Sequence, residues 1–219
     1  FMLETFQGWG AIFYPKEFVK EISKICKQNK ILLTFDEMQA GFGRTGKNFG
    51  FQHYDVIPDL VCCGKGMGGG VALSGVIGKK KIMDLPEVGN MSSTNSANPI
   101  ACNAGLAVIE EIEEKKLTDN AKLKGELLHK NLLKIRQKFP NLINIYGKGL
   151  IAAIVFNKDY TNINKKLKKL VELCMKDGLL LVYTGRESVK IGPPLTITRE
   201  AINEGSKILN KNISSLFKK

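Results

Sequence analysis

The first half of the chain alternates amphipathic stretches with short, continuous apolar runs. Residues 15–29 open with a proline and place apolar side chains at helical spacing, which predicts a helix. Residues 31–35 and 60–63 are continuous apolar runs of strand length, and residues 71–77 predict a further strand. Because continuous apolar strands that follow helices are typical of parallel sheets covered on both faces, this half predicts an α/β layer.

The second half has a different pattern, with long amphipathic helices and shorter alternating strands. Helices are predicted for residues 98–116, 118–139 and 162–176, and from about residue 198 onward. Strands are predicted within residues 143–156, 179–183 and 188–191. We therefore divide the chain into an α/β domain, residues 1–117, and a linking helix with a smaller α+β domain, residues 118–219.

Length and composition are those of a globular protein. The chain has 219 residues, of which 43% are hydrophobic and 25% charged, so disordered, collagenous and disulfide-scaffold classes are excluded. No apolar run approaches the roughly 18 residues of a membrane span. We expect no membrane partner.

The formal net charge of +12 suggests a nucleic-acid partner, but its distribution does not support one. Only four basic residues are arginines, whereas surfaces that bind phosphate and read bases favour the arginine fork. The lysines are spread over amphipathic stretches, where they predict solvated helix faces. We expect no nucleic-acid partner.

The five cysteines are odd in number and form no C-x-x-C pair. This usage indicates a reduced, cytoplasmic protein whose thiols act as small apolar side chains. Two histidines do not suffice for a His-rich site, so no metal is expected.

Asp36 is the first candidate functional residue, because it ends the predicted strand 31–35. Ligands of parallel α/β sheets bind beyond the carboxyl ends of the strands. The alternative is that Asp36 has only a structural role, as a loop residue or a helix cap. A further alternative is a nucleotide hydrolase, in which an apolar strand followed by Asp36 and Glu37 holds magnesium.

Two glycine patterns, residues 41–46 and 64–69, satisfy G-x-G-x-x-G. A dinucleotide site needs a strand, the glycines and then a helix, and neither pattern opens a predicted helix. The G-x-x-x-x-G-K-[ST] pattern of nucleotide hydrolases does not occur in these residues.

Lys65 follows the second apolar run and lies between two glycines that allow a ligand to approach closely. A lysine there is either a solvated loop residue, the commoner case, or an amine that forms a Schiff base. Pyridoxal phosphate chemistry needs such a lysine together with an acid for the pyridine nitrogen. Asp36 and Lys65 follow successive strands, which permits that pairing.

Residues 33–46, LTFDEMQAGFGRTG, resemble the signature of class III aminotransferases of the ornithine and omega type. These are fold type I pyridoxal phosphate enzymes and transferases. The resemblance continues through residues 51–54, 58–61, 64–70 and 93–99, and more weakly through 147–150 and 193–195. It implies that residues 1–117 are part of a mainly parallel-sheet, cofactor-binding large domain.

The resemblance also implies roles for individual residues. Lys65 would hold pyridoxal 5'-phosphate as a Schiff base and shuttle the substrate proton, while Asp36 would pair with the pyridinium nitrogen. Gln39 would contact the phenolic oxygen of the cofactor. Thr94 would bind the cofactor phosphate of a neighbouring subunit, which implies a homodimer. The reaction would move an amino group from an amine or amino acid to a keto acid or aldehyde.

Two positions depart from the family pattern, and the chain is short for the family. Lys190 stands where many members have an arginine that grips the substrate carboxylate, and Trp9 replaces a common acidic residue. Family members are roughly twice as long, so we expect this chain to be the C-terminal half of a larger enzyme. The alternatives are an aminomutase, racemase or decarboxylase of the same fold, and a relative that holds no cofactor.

Overall fold

The computed structural model describes residues 1–217, which form two compact units. The first unit contains Phe1–Phe6 and Tyr14–Thr118, and the second contains Gln7–Phe13 and the residues from Asp119 onward. Residues 7–13, which sequence analysis grouped with the first domain, therefore pack within the second unit.

The helices and strands alternate through the first unit and then form a helix-rich second unit. In chain order they are β1 (Met2–Glu4), β2 (Phe6–Gln7), β3 (Ile12–Phe13), α1 (Lys16–Gln28), β4 (Thr34–Asp36), β5 (Leu60–Cys63), β6 (Gly75–Gly78), α2 (Lys80–Met83), α3 (Pro99–Glu114), α4 (Leu117–Lys138), β7 (Ile143–Lys148), β8 (Ile151–Phe156), α5 (Ile163–Lys176), β9 (Val182–Tyr183), β10 (Ser188–Ile191) and α6 (Arg199–Phe217). Short 3-10 helices occupy Gly50–Tyr54 and Lys65–Gly68.

The sheet of the first unit has the order β1-β4-β5-β6. Strands β1, β4 and β5 are parallel, which confirms the predicted parallel sheet, whereas β6 runs antiparallel to β5. Coverage on both faces is not observed at β6, where Val76 and Ile77 remain 48% and 53% exposed.

Two predicted strands are shorter in the structure than their apolar runs. Ile31 and Leu32 are exposed and precede β4, because the Ile31 amide donates to the Cys26 carbonyl at the end of α1. The run 71–77 is a strand only over Gly75–Gly78, since the amide of Val71 closes a turn on the Gly68 carbonyl. Local hydrogen bonds at a helix end and a turn thus remove these residues from the sheet.

Helix α3 packs closely on the segment that follows β5. Its N-terminus is capped by Asn98, whose side chain accepts the Ile100 amide at 2.9 Å, with Pro99 in the first turn. A Cβ atom at Gly105 would lie 2.6 Å from a methyl carbon of Leu73. A larger residue at position 105 would therefore require the Leu73 side chain to shift.

The second unit is an antiparallel sheet of order β7-β8-β10-β9, packed with α4, α5 and α6. The hairpin β7–β8 turns at Gly149, and both Gly149 and Gly147, within β7, have positive φ. A Cβ atom at Gly125 of α4 would lie 2.4 Å from the Gly149 backbone, so the helix crosses directly over the turn. The predicted strand 179–183 is reduced to Val182–Tyr183.

The cysteines are all free, and three of them, Cys26, Cys63 and Cys174, are buried. Within residues 1–217, no helix combines the length and apolarity that crossing a bilayer requires. The same residues contain no group of three or more histidine, cysteine or acidic side chains arranged to hold a metal ion.

Candidate active site

Asp36 is the last residue of β4, at the carboxyl edge of the parallel strands. It lies opposite Cys62 of β5 and opposite Glu4 of β1. Its side chain is half-buried, and Oδ1 accepts the amide of Met38 at 2.9 Å. This is the one side-chain hydrogen bond of Asp36 within the described residues, so the carboxylate is oriented by its own turn and keeps acceptor capacity for a ligand.

Glu37 differs sharply from its neighbour, because its side chain is fully buried. The carboxylate accepts the hydroxyl of Thr5 and the amides of Gly50 and Phe51, the latter two at 2.7 and 2.8 Å. Burial raises the pKa of Glu37, and the three donors oppose that rise. Because Glu37 is fully buried and its oxygens already accept three protein donors, it is poorly placed to hold magnesium, which argues against the nucleotide-hydrolase alternative.

Lys65 lies two residues beyond the end of β5 and begins the 3-10 helix Lys65–Gly68, with a left-handed φ of 49° and an exposed side chain. The preceding Gly64 is buried, and a Cβ atom there would lie 2.4 Å from the sulfur of Met38. The lack of a side chain at Gly64 thus allows the end of β5 to approach the turn after Asp36. The structure places Asp36 and Lys65 at the ends of adjacent parallel strands, at one edge of the sheet.

A cavity of about 680 Å³ opens beside Lys65. It is lined by Lys65, by residues 70–74 and by the loop that leads into α3, including Ser93, Asn95 and Ser96. Thr94 belongs to this same loop and is exposed. A lining that includes hydroxyl and amide side chains and a primary amine suits a small polar ligand.

Gln39 and the rest of the signature form a tight turn after β4. Gln39 is half-buried, and the turn is closed by the Gly41 amide, which donates to the Glu37 carbonyl at 2.9 Å. Further along, the buried Thr45 contacts Nε2 of His53 through its hydroxyl at 3.1 Å. Burial lowers the pKa of Arg44. The signature loop is therefore a rigid, internally bonded structure.

Lys190 lies in the second unit, on β10, and is half-buried. Its Nζ donates to the Gly8 carbonyl at 3.0 Å, and the buried hydroxyl of Ser188 donates to the Trp9 carbonyl at 2.9 Å. The guanidinium carbon of Arg186 lies 5.2 Å from the centre of the Trp9 ring. These contacts hold the segment that carries Gln7, Gly8 and Trp9 on the sheet of the second unit.

Sequence reasoning missed the roles of Thr5, Ser188 and Arg186. Each acts on a residue far along the chain: Thr5 on Glu37, and the other two on Trp9. No local pattern signals such a contact. The sequence indicated only that residues at a strand end are often buried. That expectation does not distinguish Asp36 from Glu37, nor a carboxylate that binds a ligand from one that is bound by protein donors.

A lysine and an aspartate at the ends of neighbouring parallel strands define a site of the kind that pyridoxal phosphate enzymes use. Comparison with known proteins agrees with this geometry. The profile of the family described as aminotransferase class-III matches residues 1–213. The chain belongs to the class III aminotransferase family, as the signature residues indicated, and enzymes of this family use pyridoxal phosphate.

Among the curated relatives, the acetylornithine aminotransferase of Synechocystis sp. is 39% identical over 98% of this chain and 49% of its own length. The leucine/methionine racemase of Thermococcus litoralis is 37% identical over 97% of this chain and 49% of its own length. The chain thus spans about half the length of these relatives.

Solved structures show the same fold. The ornithine aminotransferase from Plasmodium yoelii superimposes with a TM-score of 0.91 at 30% identity, covering 99% of this chain and 57% of its own. An acetylornithine aminotransferase from Elizabethkingia anophelis has a TM-score of 0.88 at 33% identity, covering 98% of this chain and 54% of its own. The predicted fold class, a mainly parallel α/β layer followed by a smaller α+β unit, is confirmed.

Proposed function

We propose that the whole protein is a pyridoxal phosphate-dependent aminotransferase. It moves an amino group from an amine or amino acid to a keto acid or aldehyde. The observation that carries this proposal is the placement of Asp36 and Lys65 at the ends of adjacent parallel strands, beside an open cavity. Membership of the class III family supports it.

The residues present fit the cofactor. Lys65 offers an exposed primary amine, and Asp36 offers a half-buried carboxylate oriented by a single amide. A Cβ atom at Gly66 or Gly70 would meet nothing within 4 Å, so there is open space at these two glycines, which follow Lys65. When bound, pyridoxal phosphate supplies an aldehyde that captures amines and a protonated ring that withdraws electrons.

The side chains of the first unit take complementary roles in this proposal. Asp36 holds a proton on the ring nitrogen by charge pairing, and Gln39 donates from its amide to the phenolic oxygen. Lys65 would bind the cofactor aldehyde through its amine. Once a substrate amine had taken its place there, the released amine of Lys65 would carry the proton between the substrate carbon that bears nitrogen and the cofactor. Thr94 donates its hydroxyl to the cofactor phosphate of a neighbouring subunit, and the protein is a cytoplasmic homodimer.

Lys190 is proposed as the contact for a substrate carboxylate. Its ammonium group lies on β10, where it donates to the Gly8 carbonyl at 3.0 Å. As a point charge it lacks the paired geometry of an arginine fork, so it selects less strictly for a carboxylate. The acetylornithine and ornithine aminotransferases among the relatives support an amino acid as the amino donor.

The test is the absorbance of the whole protein with pyridoxal phosphate. We expect a visible imine band in the wild type, no such band in Lys65→Ala, and an unchanged band in the matched control Lys80→Ala, because Lys80 is exposed and pairs with Asp84. A band that survives in Lys65→Ala at wild-type strength contradicts the assignment.

A racemase is the second candidate, since one relative is named as a leucine/methionine racemase. The two reactions differ in product. With an L-amino acid and a keto acid, an aminotransferase forms a new amino acid from the keto acid, whereas a racemase forms the D-enantiomer without consuming keto acid. Chiral chromatography of the products separates the two.

A further inference from the structure

We propose that Glu37 is a positioning residue that holds Asp36 at the sheet edge through a buried three-donor latch. The latch consists of Thr5, Glu37, Gly50 and Phe51. The purpose of this placement, to present Asp36 to the pyridinium ring, rests on the proposed function. The position of Asp36 itself depends on the hydrogen bonds of this chain and can be measured without cofactor.

The donors of the latch come from two distant parts of the first unit. Thr5 immediately follows β1, while Gly50 and Phe51 open the 3-10 helix that ends the signature loop. Oε1 of Glu37 receives the Thr5 hydroxyl and the Phe51 amide, and Oε2 receives the Gly50 amide. One carboxylate therefore joins β4, the end of β1 and the far end of the signature loop.

Backbone groups of Glu37 fix the residues on each side of it. Its amide donates to the Cys62 carbonyl at 2.9 Å, which continues the β4–β5 ladder past Asp36. Its carbonyl accepts the Gly41 amide at 2.9 Å, and the next amide, that of Met38, orients the Asp36 carboxylate. A displacement of Glu37 would therefore move both the backbone of Asp36 and the donor to its side chain.

Close packing makes the latch specific to these residue types. A Cβ atom at Gly50 would lie 2.7 Å from Cγ2 of Thr5 and from Cβ of Ala40, so glycine lets the amide reach the carboxylate. A buried carboxylate is costly unless its oxygens are satisfied, and the directional bonds that satisfy it allow one geometry. An apolar side chain at position 37 would pack without fixing that direction.

The decisive variant is Glu37→Gln, studied in the whole protein. The amide keeps one acceptor oxygen and turns an NH₂ group toward at least one backbone donor, so the latch loses a hydrogen bond. We expect amide hydrogen exchange at Met38, measured without cofactor, to accelerate at least about 10-fold, the factor equivalent to ~1.4 kcal/mol. We also expect weaker binding of pyridoxal phosphate and a shifted pH midpoint of its absorption band.

A purely structural role predicts a different result. In that case exchange accelerates at Gly50 and Phe51, while exchange at Met38, cofactor affinity and the pH midpoint stay at wild-type values. Unchanged exchange at Met38 overturns the proposal.

Thr5→Val and Thr5→Ser keep the test informative if Glu37→Gln does not fold. Valine matches the shape of threonine and removes one donor, so the same changes should appear in weaker form. Serine retains the hydroxyl and should restore exchange at Met38 and cofactor affinity toward wild type. Equal effects of valine and serine would contradict the latch.

The measurements also separate this inference from the proposed function. Exchange at Met38 is read without cofactor, so it decides the positional claim on its own. If the wild-type protein binds no pyridoxal phosphate, the proposed function is contradicted. If the exchange rate of the Met38 amide is the same in Glu37→Gln as in the wild type, the positioning role of Glu37 is contradicted.

Discussion

The two units of the chain bury their apolar residues in different ways. In the second unit, side chains from the sheet and from helices α4, α5 and α6 form one continuous core, in which Ile154, Leu167, Leu170 and Ile213 are fully buried. In the first unit, by contrast, large apolar side chains of β6 and α3 remain exposed, including Val76, Ile77, Ile100 and Leu106.

Buried side-chain hydrogen bonds show the opposite distribution and are prominent in the first unit. The first unit contains the buried latch at Glu37 and the hydroxyl of Tyr54, which donates to the Thr5 carbonyl at 2.6 Å and accepts the Tyr14 amide at 3.1 Å. Apolar burial is strong but non-directional, whereas hydrogen bonds fix geometry at a modest net free energy. We infer that stability is concentrated in the second unit and precise geometry in the first.

The largest expected effect is that of a cavity in the second unit. Leu167→Ala should lower the local free energy of unfolding of this unit by about 2–5 kcal/mol, because Leu167 is fully buried in the core. Hydrogen exchange of peptides from α5 and α6 measures this loss. The matched control is Leu180→Ala, at an 81% exposed position of the same unit, which should change little. A loss below about 1 kcal/mol would contradict the continuous core.

Tyr54→Phe tests the polar framework of the first unit. Removing the hydroxyl leaves the Thr5 carbonyl and the Tyr14 amide without this partner and should cost about 1–3 kcal/mol. Burial raises the pKa of Tyr54 to about 12, so the effect should stay constant through neutral pH. Tyr146→Phe, at a partly exposed position, is the control. If both variants unfold alike in denaturant, the framework is not stabilising.

The pH dependence of stability should have opposite signs in the two units. Hydrogen bonds from Asn212 and then Lys211 lower the pKa of Asp177, so its contribution is present above the unfolded value of about 3.9 and is lost as pH falls. Burial raises the pKa of Glu37, so its contribution is full below about 4.3 and is lost as pH rises through the raised value.

Denaturation series between pH 3 and 7, compared with Asp177→Asn and Glu37→Gln, measure these two contributions. The deficit of Asp177→Asn should shrink as pH falls, whereas that of Glu37→Gln should grow. If the stability deficits of the two variants change in the same direction with pH, the expected difference between the two units is contradicted.

The smallest effect is expected at the exposed face of β6. Ile77→Ser should change the free energy of unfolding by no more than about 0.5 kcal/mol, because Ile77 is 53% exposed. It should also reduce self-association in light scattering, since it interrupts exposed apolar surface. A large loss of stability would show that this face is buried in solution.

Local sequence patterns predicted the elements and the chemistry at the strand ends. Continuous apolar runs located β4 and β5, and the chain alone was enough to single out Asp36, which ends β4, and Lys65, which follows β5, as candidate site residues. The ordered motifs around them identified the family, which the comparisons confirmed. These features are local, because periodicity and the residue after a strand are read within a few positions.

Tertiary structure decided what depends on contacts between distant residues. Ile31 and Leu32 are predicted as strand but are exposed and precede β4, and the Ile31 amide donates to the Cys26 carbonyl at the end of α1. Asp36 and Glu37 are adjacent acids in the sequence, yet the first is half-buried at the end of β4 and the second is fully buried among donors from Thr5 and Gly50. Burial and hydrogen bonding are set by which segments meet, and one-dimensional patterning does not contain that information.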